Sequence, residues 1–272
     1  MVKKLVLYDQ IYNFSSDKER KNLEYRYQKY LGEKVKGFSS TKIIFKKLRK
    51  YDNRFEIEIN GPEEVFVFNV LKKEIGTTIN FEDIREGQIY KGTMIDCGKV
   101  GFGIFVDCAI MNPKTDVLLP LHSLRNQLCN GQNKSLSQII STYDFIDKFP
   151  VYIEIKTIDR EEKKISGVLT QEILNLFKKC LHENIEGVFI SGQSKGQVKK
   201  ALVKTGHLRD IVSIERFGFL EHIVLLREGT QSPGIISDIG NLLKKSKFSA
   251  IRPNRIKDIC IGNVHKSGPG ED

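Results

Sequence analysis

At 272 residues the chain exceeds the size that one hydrophobic core usually serves, and two or three domains are expected. Its 40% apolar and 29% charged composition excludes a disordered or fibrous chain, no apolar run approaches the ~20 residues of a membrane span, and residues 1–8 break at Asp9 and Gln10 without a signal-peptide pattern, which predicts a cytoplasmic protein. A net charge of +10 favours a polyanion, nucleic acid first, while five scattered cysteines without a Cys-x-x-Cys pair argue against a disulfide framework or a zinc site.

In chain order, residues 3–8 alternate as a half-buried strand. Ser16 is placed to cap a helix over 17–31, favoured by Asp17 and Glu19 and ended by Gly32. Residues 54–60 alternate strictly, with Phe55, Ile57 and Ile59 on one face. Gly61-Pro62-Glu63-Glu64 then opens a second helix, with Val65, Phe68, Leu71 and Ile75 as its buried stripe. Residues 1–84 therefore form a small α+β domain. Its most basic run holds Lys42, Lys46, Lys47, Arg49 and Lys50. Two readings stand: a phosphate-contacting patch, whose attraction is salt-sensitive and sequence-independent, or the solvated face of a short helix or edge strand with Ile43, Ile44 and Leu48 inward.

Residues 86–107 contain two short strands, 88–96 and 103–107, joined by a bend with Gly98, Gly101 and Gly103. Phe102 and Phe105 are three apart, so strict alternation separates them, whereas a bulge at Gly103 unites them. The turn Phe102-Gly103-Ile104-Phe105-Val106, the opening glycines Gly87 and Gly92, the segment 117–124 and the closing segments 151–159 and 164–169 follow one another in order. On these motifs residues 85–169 resemble an S-one-type RNA-binding domain, the OB-fold named after the ribosomal protein. The resemblance implies a five-stranded OB-type β-barrel whose aromatics, here Phe102 and Phe105, stack on bases. It also implies help from a histidine, here His122, and from basic residues, here Lys91, Lys99 and Lys156. Pro120 stands where the family has its histidine, with His122 two residues later. Asp96, Asp107 and Asp116 lie along the presumed binding strands, where they repel phosphate. The charge is uneven: residues 1–84 carry 17 basic and 13 acidic side chains, 85–169 carry 11 and 10, and 170–272 carry 16 and 11. The flanks are thus expected to supply most of the attraction.

Thr170 can cap a connecting helix over 170–183, with Ile173, Leu174, Phe177 and Leu181 inward. From 184 to 261 the order is β-α-β-β-α-β, that of a ferredoxin-like domain: strand 187–191, helix 194–205, strands 209–216 and 220–227, helix 232–245 and strand 248–252. Residues 262–272 are expected to be a disordered tail. The fold class is thus α+β and multidomain.

No catalytic constellation emerges. Ser191-Gly192-Gln193-Ser194-Lys195-Gly196 lacks the spacing of a phosphate loop and is read first as a capped strand-to-helix turn, although its helix start with Lys195, Lys199 and Lys200 could hold one phosphate. The five histidines have no metal-ligand spacing. The expectation is a non-catalytic protein without cofactor or metal. The whole chain resembles an uncharacterised archaeal protein family with a central S-one-type domain. That likeness implies RNA, single-stranded or structured, as partner in translation, transcription or RNA processing. The other reading is an interaction module on a ribosome, RNA polymerase or exosome component.

Overall fold

The computed structural model describes residues 3–261. Its first sheet runs in the order β1 (Lys3–Gln10), β3 (Arg54–Asn60), β2 (Lys42–Leu48), all antiparallel, so the basic run lies on an edge strand. Between β1 and β2, α1 (Asp17–Lys34) starts where the Ser16 hydroxyl accepts the Glu19 N–H at 3.2 Å. Gly32 does not end it, because nothing there demands a positive φ and the helix continues to Lys34. Phe55, Ile57 and Ile59 of β3 are buried as their alternation requires. α2 (Glu64–Glu74) buries Val67 and Leu71, followed by Ile75, while Val65 is 53% exposed. The inward stripe therefore falls at i, i+4, i+8 from Val67, not from Val65. Phe68 sits on its rim under the Lys3 ammonium, 3.7 Å from the ring centroid.

The middle of the chain closes on itself. After β4 (Ile79–Asn80) come β5 (Ile89–Ile95), β6 (Gly103–Met111), β7 (Thr115–Pro120), α3 (Leu121–Leu128), α4 (Leu136–Tyr143), β8 (Pro150–Asp159) and β9 (Lys164–Leu169). β5 pairs with β6 and β8, β8 with β9, β9 in parallel with β7, and β7 with β6, which makes a closed five-stranded OB-like barrel. β4 adds in parallel to the far end of β6. Gly103 lies at a close approach of β6 and β7, where a Cβ would run into the Leu119 carbonyl oxygen and the Leu118 side chain. α4 has no counterpart in the sequence reading, although Ser135 and Gln138 cap each other at its start.

The last part consists of α5 (Gln171–His182), β10 (Gly187–Ser191), α6 (Lys195–Lys204), β11 (Ile211–Arg216), β12 (Glu221–Leu226), α7 (Ser232–Gly240), β13 (Lys247–Ile251) and α8 (Pro253–Ile261). Its sheet has the order β11-β12-β10-β13, antiparallel throughout. One face, with Val188, Ile190, Val224 and Leu226, packs on α6 and α7 through Val198, Leu202, Ile235 and Ile239. The other face, with Phe189, Ile223, Leu225 and Ile251, joins the barrel core through Phe149 and Phe177. Burial on both sides explains why β10 and β12 are apolar runs and not alternating ones. α7 stops at Gly240, short of the expected 245, and α8 lies where no helix was foreseen. The expected tail, 262–272, lies outside the described residues. Among the described residues no helix is long and apolar enough to cross a membrane.

Candidate nucleic-acid interface

β6 begins only at Gly103, so Phe102 belongs to the preceding bend and escapes the alternation that would oppose it to Phe105. No bulge occurs at Gly103: the register from Gly103↔Pro120 to Val106↔Val117 is regular, and the irregularity falls between Val106 and Ile110. The bend still brings the two rings together, with centroids 6.1 Å apart and planes at 89°. Such an edge-to-face pair fixes the orientation of both rings. Phe102 is 57% exposed and Phe105 half-buried, with Leu118 opposite it across the β6–β7 ladder. The Leu121 N–H donates to the Phe102 carbonyl at 2.8 Å, which brings the first turn of α3, where exposed His122 lies, next to the bend that carries Phe102. The result is an aromatic face on the outside of the barrel.

The other expected site residues divide. Lys99, in the same β5–β6 bend, is exposed and pairs with Asp96 at 2.6 Å. Lys156 pairs with Glu154 at 2.5 Å; β5 meets Glu154 at Ile89 and Phe105 at Ile95, so Lys156 lies toward the opposite end of β5 from the aromatic face, roughly 20 Å along the strand. Lys91 faces away from Phe102, in a cleft of about 830 Å³ between the first sheet, the barrel and the β11–β12 turn. There its ammonium reaches Asp9 Oδ1 at 3.4 Å and lies 4.8 Å from the Tyr8 ring centroid. On β2, Lys46 pairs with Glu58 at 2.7 Å and Lys47 with Glu56 at 3.3 Å, both acids projecting from β3. Arg49 is buried and engaged by Asp52, so it is not a surface phosphate contact. Lys42 and Lys50 stay exposed at the two ends of the run. The charge that composition credits to this patch is largely neutralised across the ladder.

Asp107, expected from its place in the strand to repel phosphate at the barrel face, is instead buried and turned toward the first domain. Its two oxygens accept from Arg54 Nη2 at 3.0 and 2.9 Å, and Oδ1 also accepts the Ala109 N–H at 2.8 Å. Burial raises the Asp107 carboxyl, but the Arg54 guanidinium and the Ala109 N–H together outweigh it and hold the group below the usual carboxylate range. Arg54 completes its fork on the Tyr8 carbonyl at 2.9 Å and on Asp52. Next to it, Glu221 at the start of β12 accepts the Tyr12 hydroxyl at 2.5 Å. Burial first, then the neighbouring Asp9, pushes the Glu221 carboxyl up to about 7, against the pull of Tyr12, Lys91 and Lys148. Lys148 donates to Gln10 Oε1 at 2.5 Å and is held below the ordinary lysine value by burial, which Asp107 opposes. This junction ties all three parts of the chain together. Sequence reading missed it because Arg54 and Asp107 lie 53 positions apart; the local signal is Glu221, a carboxylate opening a strand that ends in an apolar run. Among the described residues no cluster of three or more His, Cys, Asp or Glu side chains could hold a metal ion.

Two family models match, one over the barrel and one over the last sheet. Residues 84–179 match the DUF2110 central domain. Residues 186–251 match the DUF2110 C-terminal domain, so one match spans the barrel strands β5 to β9 and runs into α5, and the other spans β10 to β13. No curated protein matches the chain. Among solved structures, the chain is similar to the uncharacterized protein MJ1198 from Methanocaldococcus jannaschii at 16% identity, over 33% of this chain and 96% of that one, with a TM-score of 0.23. It is similar to GSP13 from Bacillus subtilis at 18% identity, over 32% of this chain and 56% of that one, with a TM-score of 0.24. The intact alpha subunit of aIF2 from Pyrococcus abyssi is similar at 10% identity, over 63% of this chain and 98% of that one, with a TM-score of 0.26.

Proposed function

We propose that this DUF2110-domain protein is a non-catalytic, cytoplasmic RNA-binding protein of translation, transcription or RNA processing. The observation that carries this reading is the edge-to-face pair of exposed Phe102 and half-buried Phe105 on the outside of a closed barrel, next to the start of α3. A base has a π-face whatever its identity, and stacking on such an aromatic is worth about 1–3 kcal/mol. With Asp107 turned inward and Asp96 held by Lys99, two of the three acids that weigh against this face are masked. Phe102→Ala is expected to weaken binding of a single-stranded RNA oligomer roughly 5- to 150-fold in a fluorescence-anisotropy titration while leaving the melting temperature in place. Unchanged affinity would remove the barrel as the reader of bases. The same reading takes residues 85–169 as an S-one-like domain in a chain of archaeal type, residues 1–84 as the N-terminal α+β domain and residues 184–261, joined by 170–183, as a ferredoxin-like domain.

A second reading, an interaction module docking on a ribosome, RNA polymerase or exosome component, is favoured by Val65 and Phe66. These neighbours on α2 are 53% and 65% exposed. A pull-down whose partners survive nuclease treatment selects this reading; loss of every partner on nuclease treatment selects the first.

A further inference from the structure

The expected basic patch on β2 is largely neutralised, yet the chain carries ten more cations than acids, and a groove elsewhere collects several of them without neutralisation. α1 of the first domain, α6 of the last and the turn 241–245 enclose a groove of about 620 Å³. Arg26, Lys200, Lys204, Lys244 and Lys245 line it, against one acid, Glu19. Glu19 is taken by Lys245 at 3.1 Å. Arg26, Lys200, Lys204 and Lys244 are exposed, and their side chains have no ion-pair or hydrogen-bond partner among the described residues. Lys200 and Lys204 are one helical turn apart and so project along one side of α6.

The remaining polar lining consists of side-chain amides: Asn13, Asn22, Gln193, Gln197 and Asn241. Among the described residues no aromatic ring lines the groove. It therefore offers charge and hydrogen bonds to phosphate and sugar oxygens but no surface on which a base would stack. The groove is also preformed across the two domains. Asn13 Nδ2 donates to the Gly192 carbonyl at 2.9 Å, and Gly192, at φ +90°, leaves no room for a Cβ beside Asn13. The start of α6 is the capped strand-to-helix turn expected first from its sequence: the Ser194 N–H donates to Gln197 Oε1 at 3.2 Å, and Lys195 is turned to the Ile214 carbonyl at 2.8 Å. The cations that matter lie farther along the helix.

We infer that the groove between α1, α6 and 241–245 binds the sugar-phosphate backbone of RNA without regard to sequence, complementing base stacking at Phe102 and Phe105. This rests on the reading of the chain as an RNA binder. The test compares wild type, a triple variant (Arg26→Gln, Lys200→Gln, Lys204→Gln), a charge-matched control at exposed lysines outside the groove (Lys36→Gln, Lys163→Gln, Lys178→Gln) and Phe102→Ala. The probes are oligo-rU, oligo-rA and inorganic polyphosphate, each titrated over a range of salt. The triple variant is expected to weaken all three probes alike and to lower the slope of log K against log[salt] for RNA by about 2, at about 0.7 per lost contact. Phe102→Ala is expected to leave that slope and polyphosphate binding unchanged. A triple variant no weaker than the charge-matched control overturns the groove whatever Phe102→Ala does. If Phe102→Ala binds RNA like wild type while the triple variant does not, the groove stands and the barrel reading falls. Absence of binding to both RNA and polyphosphate by wild type overturns both.

Discussion

Arg54 uses every arm of its guanidinium at the junction, on Asp107, Asp52 and the Tyr8 carbonyl, while 1% exposed. Removing one partner of such a pair leaves the other charged and dry, a cost of about 3–5 kcal/mol, whereas replacing both with apolar groups is far milder. Arg54→Met is therefore expected to lower the urea midpoint sharply, and Arg54→Met with Asp107→Leu to recover much of the loss; a single variant as stable as wild type would show that the pair does not hold the domains. Glu221 gives the junction a pH dependence of definite sign. Its carboxyl is raised from an ordinary 4.5 to about 7, so the folded protein holds this proton more tightly than the unfolded chain. The group costs nothing below pH 4.5, and stability falls as pH rises from there through 7, by up to about 3 kcal/mol. Glu221→Gln is expected to raise the melting temperature more at pH 8 than at pH 5; equal gains would contradict this assignment. Asp107, held low, acts oppositely and loses its contribution as pH falls below the ordinary carboxylate range. None of this was legible in the sequence, because burial and partners at these positions are set by residues from distant parts of the chain.

At the scale of elements, local pattern carried much of the fold. β3 and β9 fall where alternation and boundaries placed them, and the closed barrel appears in the order that the glycine and aromatic motifs implied. What was lost had a physical reason. Gly32 sits inside α1 because a glycine with negative φ weakens a helix without ending it. The pairing of Phe102 with Phe105 was foreseen as one of two outcomes, but a bend, not a bulge, produces it. Gly103 then matters as close approach: Gly103→Ala is expected to open the β6–β7 seam, cost about 1–3 kcal/mol as overpacking does, and weaken RNA binding through the displaced rings. Phe102→Ala, losing an exposed ring only, is expected to weaken binding at unchanged stability. If both variants melt like wild type, the seam is more yielding than its geometry implies.

At the scale of the molecule, three parts share two of their three cores. The barrel core continues into the last sheet, and the core of the first domain is completed by Phe219 and Leu220 from the β11–β12 turn. Phe219 meets Tyr27 edge-on at 4.9 Å and stacks on Tyr30 at 5.7 Å. Composition could divide the charge between domains, but it could not show that acids on β3 cancel the cations of β2 while α1 and α6 line up cations unopposed. Phe219→Ala is expected to cost about 3–5 kcal/mol and to raise amide exchange in β1, α1 and β3 more than in the barrel; uniform exchange across the chain would show that this ring does not belong to the first core.

Phe219 also sets an order of events in time. The first sheet and its two helices end near residue 75, yet their core lacks this ring until about 140 further residues have been made. At 5–20 residues per second that is roughly 7–30 s during which Tyr27 and Tyr30 have no native cover. The usual sequence, amino-terminal part first, is thereby relaxed: the barrel core in turn waits for Phe189, Ile223, Leu225 and Ile251, so the last sheet to be synthesised completes both cores begun before it.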